Sequence, residues 1–110
     1  MKKIAIPSNG EKISQHFGHC PNFTIFECDG EKIINKKIIA NPGHKPGFLP
    51  RFLSEKGVDC VLAAGMGQRA IQLFEENGID TVIGARGLVD NAIESFLKGD
   101  LDTANNLCDH

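Results

Sequence analysis

The chain has 110 residues and lacks several features, each of which excludes a class of protein. It has no Trp and no Tyr, so a core must be built from aliphatic side chains and seven Phe. It has no Cys-x-x-Cys pair, which removes the support for a zinc ribbon or a thioredoxin-type site. No run approaches the ~18 apolar residues of a membrane span, and the apolar part of the opening MKKIAIPSNG is too short for a signal peptide. We therefore expect a cytoplasmic protein with no membrane partner, in which the four cysteines stay reduced.

A clustered basic surface is also missing. The net charge is −2, and no basic run exceeds the pairs Lys2-Lys3 and Lys36-Lys37. Surfaces that track phosphates need a stripe of Lys and Arg, so we expect no nucleic-acid partner. The charge is uneven, however, because residues 1–58 hold nine Lys/Arg against five Asp/Glu and residues 59–110 hold three against nine.

The length and composition predict one domain over residues 1–110. With 41% hydrophobic and 24% charged residues, a chain of this size can bury a core without disulfides or a structural metal. Residues 99–110 show no apolar periodicity and predict a polar C-terminal tail.

Apolar runs and turn residues predict the element order β-β-β-α-β-α-β-α. Asp29-Gly30 predicts a two-residue hairpin turn between the second and third strands. The later β-α-β units require right-handed crossovers and parallel strands. We therefore expect a mixed five-stranded α/β sheet of order 3-2-1-4-5 with helices on both faces. The predicted strands are KKIAIP, FTIFEC, EKIINKKII, DCVLAAG and DTVIGA, and the predicted helices are residues 48–56, GQRAIQLFEENG and LVDNAIESFLKG.

In this topology four loops leave the sheet at one edge. They are SNGEKISQHFGHC, NPGHKPG, GMGQ and GARG. Ligands of open α/β sheets bind outside the carboxyl ends of strands, near the change in strand order. We therefore expect one pocket to gather soft and imidazole donors that are distant in sequence, namely His16, His19, Cys20, His44 and Met66.

Glycine-rich segments at the same edge predict an anion site. Gly65 and Gly67 flank Met66 at the start of a helix, whose free N–H groups favour negative charge, and Arg86 precedes the last helix in the same way. Imidazole and thiolate ligands suit iron, zinc and copper. Together these properties suit an anionic metal–sulfur cluster better than a phosphate, because neither the P-loop nor the dinucleotide pattern is present.

Other interpretations of these residues stay open. The HFGHC segment is also compatible with an ordinary surface loop, and Cys28 and Cys60 fit buried core positions. The tail residues Cys108 and His110 are possible ligands if the tail folds back over the site. A Cys20–His nucleophile is conceivable but has no clear orienting acid. A two-metal carboxylate nuclease is disfavoured, because the first strand has no acidic residue.

Four segments resemble the dinitrogenase iron–molybdenum cofactor biosynthesis family, small domains related to nitrogenase cofactor carriers. They are SQHFGHCPNFTIFE, NPGHKPGFLPRFL, GVDCVLAAGMGQRAIQLFEENGI and the terminal CDH. The resemblance implies a ribonuclease H-like fold without nuclease activity and the binding of an iron–sulfur or molybdenum/iron–sulfur cluster. It also implies that His16 matches the histidine associated with cluster binding in the carriers, which often lack a cysteine at the position of Cys20.

The resulting hypothesis is a non-catalytic carrier of a metallocluster, which receives the cluster from a donor protein and passes it to an acceptor protein. The alternative is a metal-free regulatory module that binds a small molecule or a protein.

Overall fold

The computed structural model describes residues 2–15, 17, 20–43 and 48–99. These form six strands and three helices. The strands are β1 (Lys2–Asn9), β2 (Lys12–Ile13), β3 (Asn22–Asp29), β4 (Lys32–Ala40), β5 (Cys60–Ala63) and β6 (Asp80–Ile83), and the helices are α1 (Phe48–Glu55), α2 (Gln68–Glu76) and α3 (Val89–Lys98).

The five longer strands form one mixed sheet in the order β4-β3-β1-β5-β6. β3 is antiparallel to both β1 and β4, while β1, β5 and β6 are parallel. The predicted order of these strands is confirmed. The two-residue β2, which pairs with the end of β1, was not predicted, because two residues are too few to show a periodic pattern.

Helices cover both faces of the sheet and divide the interior into two cores. We call them the α3-side core and the α1/α2-side core after the helices that cover them. The α3-side core includes Ile4, Ile6, Phe26, Leu62, Val82, Ala92 and Ile93. The α1/α2-side core includes Ala5, Cys20, Phe23, Leu49, Leu53, Val61 and Phe74. Neighbouring residues of β1 contribute to opposite cores because side chains alternate along a strand.

The hairpin between β3 and β4 differs from its prediction by one residue. Asp29 pairs with Lys32, so the two-residue turn is Gly30-Glu31 rather than Asp29-Gly30. Gly30 has a φ of +64°, a conformation that glycine adopts without strain. The register then shifts next to Glu27 and Cys28, which leaves Ile34 of β4 without a partner in the ladder.

Cys28 and Cys60 are buried core residues, as predicted, with 1% and 2% of their surfaces exposed. None of the three helices in the described ranges has the length and apolarity needed to cross a membrane.

Candidate functional site

The carboxyl ends of β1, β4, β5 and β6 lie at the same edge of the sheet, and hydrogen bonds connect the segments that leave them. On the β4 side, the Asn41 side-chain Nδ2 donates to the Cys20 carbonyl at 2.7 Å, and the Asn41 backbone N–H donates to the Pro21 carbonyl at 3.0 Å. The Asn41 Oδ1 accepts from the Gly43 N–H at 2.9 Å. The start of the Pro/Gly-rich connector is therefore fixed against the end of the HFGHC segment.

On the β6 side, the segment after β1 is held against the start of α3. The Ile13 N–H donates to the Gly87 carbonyl at 2.9 Å, and the Val89 N–H donates to the Glu11 carbonyl at 2.8 Å. Lys12 and Leu88 form an isolated bridge between these bonds. Backbone bonds thus connect the SNGEKISQHFGHC and GARG loops, and the Gly84 N–H also donates to the carbonyl of Ala64, which directly precedes the GMGQ loop.

Two side chains of the HFGHC segment anchor it to the α1/α2-side core. The Phe17 ring meets the Phe74 ring edge-on, with centroids 5.3 Å apart, and the Phe23 ring at 5.9 Å. Cys20 is 1% exposed and belongs to the same core. The two predicted ligands of this segment, His16 and His19, lie outside the described residues.

The environment of Cys20 keeps its thiol protonated at neutral pH. Burial raises the pKa of Cys20 to about 11, and this outweighs hydrogen bonds from its own backbone, the Ser8 backbone and the Asn41 side chain, which favour the thiolate. The Asn41 Nδ2 lies 3.8 Å from the Sγ. Because a thiolate is the form that binds metals, Cys20 would have to lose a buried proton to act as a ligand.

The Gly65–Gly67 segment leads into α2 without a side-chain cap. Gly67 is the N-cap residue, and its carbonyl accepts the Ile71 N–H at 3.1 Å. A Cβ added at Gly65 or at Gly67 would meet no atom within 4 Å, so open space surrounds both residues. Met66 is half-buried and packs against the α1/α2-side core. This helix start therefore offers uncapped N–H groups in an open position.

Arg86 is exposed and precedes α3, but the two helix starts are not equivalent. The first N–H of α3, that of Val89, already donates to the Glu11 carbonyl. The sequence does not reveal this bond, because it depends on the short strand β2. Arg86 thus supplies a positive charge beside a helix start whose first N–H already has a hydrogen-bond partner.

The remaining predicted ligands, His44, Cys108 and His110, also lie outside the described residues, as do all four histidines of the chain. Within the ranges that the structure describes, no three His, Cys, Asp or Glu residues are grouped so as to hold a metal ion.

Asn41 is a site residue that the predicted donor set does not include. It begins a Pro/Gly-rich connector, and Asn followed by Pro and Gly is itself a signal for a turn bonded by the Asn side chain. Ser8 and Thr24 were also missed. Their hydroxyls are 2.9 Å apart and buried at 0% and 1% exposure, next to the strand end that leads to the site.

The fold and its loops define a small mixed α/β domain. In open α/β sheets, the usual place for a ligand is the crevice outside the carboxyl ends of the strands. A family model described as "Dinitrogenase iron-molybdenum cofactor" matches residues 1–99. The chain belongs to this family.

The chain is also similar to individual proteins, in sequence or in fold. The chain is 33% identical to the uncharacterized protein MJ0580 of Methanocaldococcus jannaschii over 107 residues, which covers 93% of this chain and 91% of that protein. The crystal structure of PH0822 is 32% identical with a TM-score of 0.87, covering 93% of this chain and 94% of that one. The apo form of the orange protein from Desulfovibrio gigas superimposes with a TM-score of 0.78 over 96% and 95% of the two chains, and at 21% identity it shows the shared fold alone.

Proposed function

We propose that this protein is a non-catalytic carrier that binds an iron–sulfur or molybdenum/iron–sulfur cluster during metallocofactor assembly. The observation that supports the proposal most directly is the family match over residues 1–99, because the family description names the iron–molybdenum cofactor. The ribonuclease H-like topology implied by the resemblance is part of this proposal, as are a donor protein and an acceptor protein for the cluster.

The geometry of the carboxyl edge supports such a role. Phe17 and Cys20 fix the two described positions of the HFGHC segment, and Asn41 fixes the start of the connector that contains His44. The described residues next to the expected imidazole ligands are therefore attached to the core or to each other. A carrier needs such attachment, because the segments that supply its ligands must be held in place when the cluster binds.

The proposed ligands are ranked by the support for each. His16 is the first ligand, by its match to the carriers, and His19 and Cys20 follow. His44, Cys108 and His110 complete the candidates. Gly65, Met66, Gly67 and Arg86 would contact the anionic cluster through backbone N–H groups, a thioether and a guanidinium charge.

If Cys20 is a ligand, the affinity for the cluster would depend on pH. A thiol with a pKa of about 11 must release a proton for each cluster bound. Affinity should then rise with pH from 7 to 9 more steeply than for a site of neutral imidazoles alone. If Cys20 is only a core residue, this additional slope is absent.

The test is anaerobic reconstitution with iron, sulfide and molybdate, followed by absorbance and by metal content per chain. We expect sulfur-to-metal charge-transfer bands in the wild type and their loss in His16→Ala. Cys20→Ala is compared with Cys28→Ala, a matched control because both thiols are 1% exposed but Cys28 lies in the α3-side core. Weaker bands in Cys20→Ala alone would support a ligand role. A wild type that stays colourless and metal-free would refute the carrier proposal.

Gly65→Ala tests the backbone part of the site. Its added methyl group meets no atom within 4 Å, and Gly65 has no positive φ, so the fold should tolerate it. If the cluster approaches this segment closely, the methyl group should weaken binding while the thermal midpoint stays unchanged. Equal metal content in Gly65→Ala and the wild type would remove this segment from the site.

A further inference from the structure

The sheet has two edges, and the β4 edge is the longer and the more apolar of the two. β4 has nine residues, whereas β6, at the other edge, has four. Of the five large apolar side chains that the described residues expose, three lie on β4: Ile33 by 40%, Ile34 by 54% and Ile38 by 58%. Short edge strands resist pairing, while a long apolar edge favours pairing with another extended segment. The outer side of β4 is therefore the candidate docking surface.

The sequence of β4 is nearly symmetric about Lys36. Residues 33–39 read IINKKII, with two isoleucines on each side of an Asn-Lys-Lys centre. When a strand pairs in antiparallel direction with its own copy, residues at equal distances from the two-fold axis, on opposite sides of it, face each other. An axis at Lys36 therefore places apolar side chains opposite apolar ones and polar side chains opposite polar ones. The central pairs between the two chains are Ile34–Ile38, Asn35–Lys37 and Lys36–Lys36.

This symmetry favours a second copy of the chain over an unrelated strand as the occupant of the edge. Self-pairing requires the two halves of a strand to match, because each half contacts the other half of the copy, and an unrelated partner imposes no such requirement. The register shift of β4 leaves Ile34 as its extra residue. Because Ile34 is at the end of the five-residue stretch centred on Lys36, the three central pairs do not cross the irregularity.

Lysines on an edge strand oppose such pairing, but this register reduces their repulsion. Lys37 faces the uncharged Asn35, and the like-charge pair among the central pairs is that of Lys36 with its own copy. The Lys36 Nζ lies 2.9 Å from the Asp90 Oδ1 and 5.8 Å from the centre of the Phe26 ring. Phe26 belongs to β3, on the inner side of β4. The Lys36 ammonium is therefore held toward the body of the domain, with its charge balanced by a carboxylate.

We propose that β4 is the interface of a homodimer, in which the β4 strands of two chains pair in antiparallel direction around a two-fold axis at Lys36. The five longer strands of each chain then belong to one continuous sheet of ten strands. In this sheet, the exposed Ile34 of each chain packs beside the exposed Ile38 of the other. The dimer does not depend on the proposed function.

Antiparallel pairing has a consequence for the carboxyl edge of the sheet. Asn41, which fixes the start of the His44 connector, directly follows the carboxyl end of β4. Two antiparallel β4 strands have their carboxyl ends at opposite ends of the interface, about 30 Å apart for nine residues at ~3.3 Å each. The dimer therefore presents two separate candidate sites, and a protein that binds at one of them does not meet the other. This consequence rests on the proposed function.

The first test is the mass of the metal-free full chain in solution, with a reductant present, by sedimentation velocity over a range of protein concentrations. A single pair of strands buries less than the ~800 Å² per partner of a standard interface, so we expect a dimer that dissociates at micromolar concentrations. Ile38→Lys should raise the dissociation constant at least about tenfold, because two-fold symmetry repeats the change on both chains. Phe48→Lys replaces another exposed apolar side chain, on α1, and should change it less than about twofold.

The second test is disulfide formation between chains, and it measures the register. Lys36→Cys and Lys32→Cys are compared in a Cys108→Ser background, in which the other native thiols are buried. Facing residues of antiparallel strands have Cα atoms about 4.5–5.5 Å apart, which a disulfide can bridge. The two copies of residue 32 are about 26 Å apart in this register and cannot be bridged. With glutathione disulfide as the oxidant, the bond between two copies of residue 36 should form at least about tenfold faster.

Three results would overturn the proposal. One is a full chain that stays monomeric at every concentration, which would leave the edge to a different protein. Another is a dimer that Ile38→Lys and Phe48→Lys weaken equally, since the interface would then not be β4. The last is equal rates of disulfide formation at residues 36 and 32. Because no metal is present in either test, a failed reconstitution with iron, sulfide and molybdate leaves the outcome unaffected.

Discussion

The Cys20 thiol makes folding stability depend on pH in the alkaline range. The folded chain retains this proton up to a pKa of about 11, while the unfolded chain releases it near the ordinary value of 9.0. The contribution is fully present below pH 9. Above it the unfolded state binds fewer protons, so the free energy of unfolding should fall as pH rises toward 11. Urea midpoints at several pH values between 8 and 10.5 measure this slope.

The variant Cys20→Ala should show a smaller slope than the wild type. It should not abolish the slope, because burial also raises the pKa of Cys28. Cys28→Ala is the matched control and should remove the part of the slope that comes from Cys28. A Cys20→Ala variant whose slope equals that of the wild type would show that Cys20 titrates normally in the folded chain.

Phe17 should stabilise the whole chain although it lies in a loop. Its ring contacts Phe23 and Phe74, and Phe17→Ala removes both contacts and leaves a partly open space. We expect the free energy of unfolding to fall by about 2 kcal/mol. This is below the range for a fully buried Phe, because Phe17 is half-buried. Phe48→Ala is the control, since Phe48 is 37% exposed and stacks on Phe52, and its free energy of unfolding should fall by less than about 1 kcal/mol. Equal urea midpoints for the two variants would contradict the anchoring role.

At the scale of elements, Gly87 should hold the β2–α3 contact through its backbone conformation. Its φ is +91° and its carbonyl accepts the Ile13 N–H. A Cβ there would meet no atom within 4 Å, so Gly87→Ala should cost only the backbone strain, about 1–2 kcal/mol. Gly65→Ala lacks that strain and should leave the thermal midpoint unchanged. If amide exchange at Ile13 were faster in Gly87→Ala but not in Gly65→Ala, the loss of stability would be located at the β2–α3 contact. Unchanged exchange at Ile13 in Gly87→Ala would contradict this prediction.

The elements that the sequence predicted well are those with strong local patterns. The apolar run of β5 and the apolar face of α3 predicted both their positions and their burial, and the crossover rule then fixed the strand order. β2 was missed because it exists only through its pairing with β1 and Leu88. The hairpin turn shifted by one residue because Gly30 takes the first turn position instead of the second.

The candidate site was less predictable than the fold. Like β2, it depends on contacts between segments that are distant in sequence. The sequence gathered the loops at one edge correctly, since that follows from strand direction. It did not show that Asn41 connects two loops or that Cys20 is buried, because both depend on packing between distant segments. The imidazole ligands stay a prediction from residue type and resemblance.

At the scale of the whole molecule, the two cores should unfold together. They lie on opposite faces of the same strands, and β1 contributes Ile4 and Ile6 to one and Ala5 to the other. Loss of either core exposes the central strand, so neither should persist alone, as is usual for a domain of this size. Without Trp or Tyr, buried thiols are the natural probes: Cys28 reports on the α3-side core and Cys20 on the α1/α2-side core.

Pulsed alkylation across a urea gradient, with each cysteine quantified by mass spectrometry, tests this cooperativity. Cys20 and Cys28 should become reactive at the same urea concentration, and that midpoint should match the one from far-ultraviolet circular dichroism. Ile93→Ala in the α3-side core should lower both thiol midpoints equally, by an amount that corresponds to about 2–5 kcal/mol. If Ile93→Ala exposed Cys28 while Cys20 stayed protected, the cores would be separate cooperative units. The sheet would then not transmit stability from one face to the other.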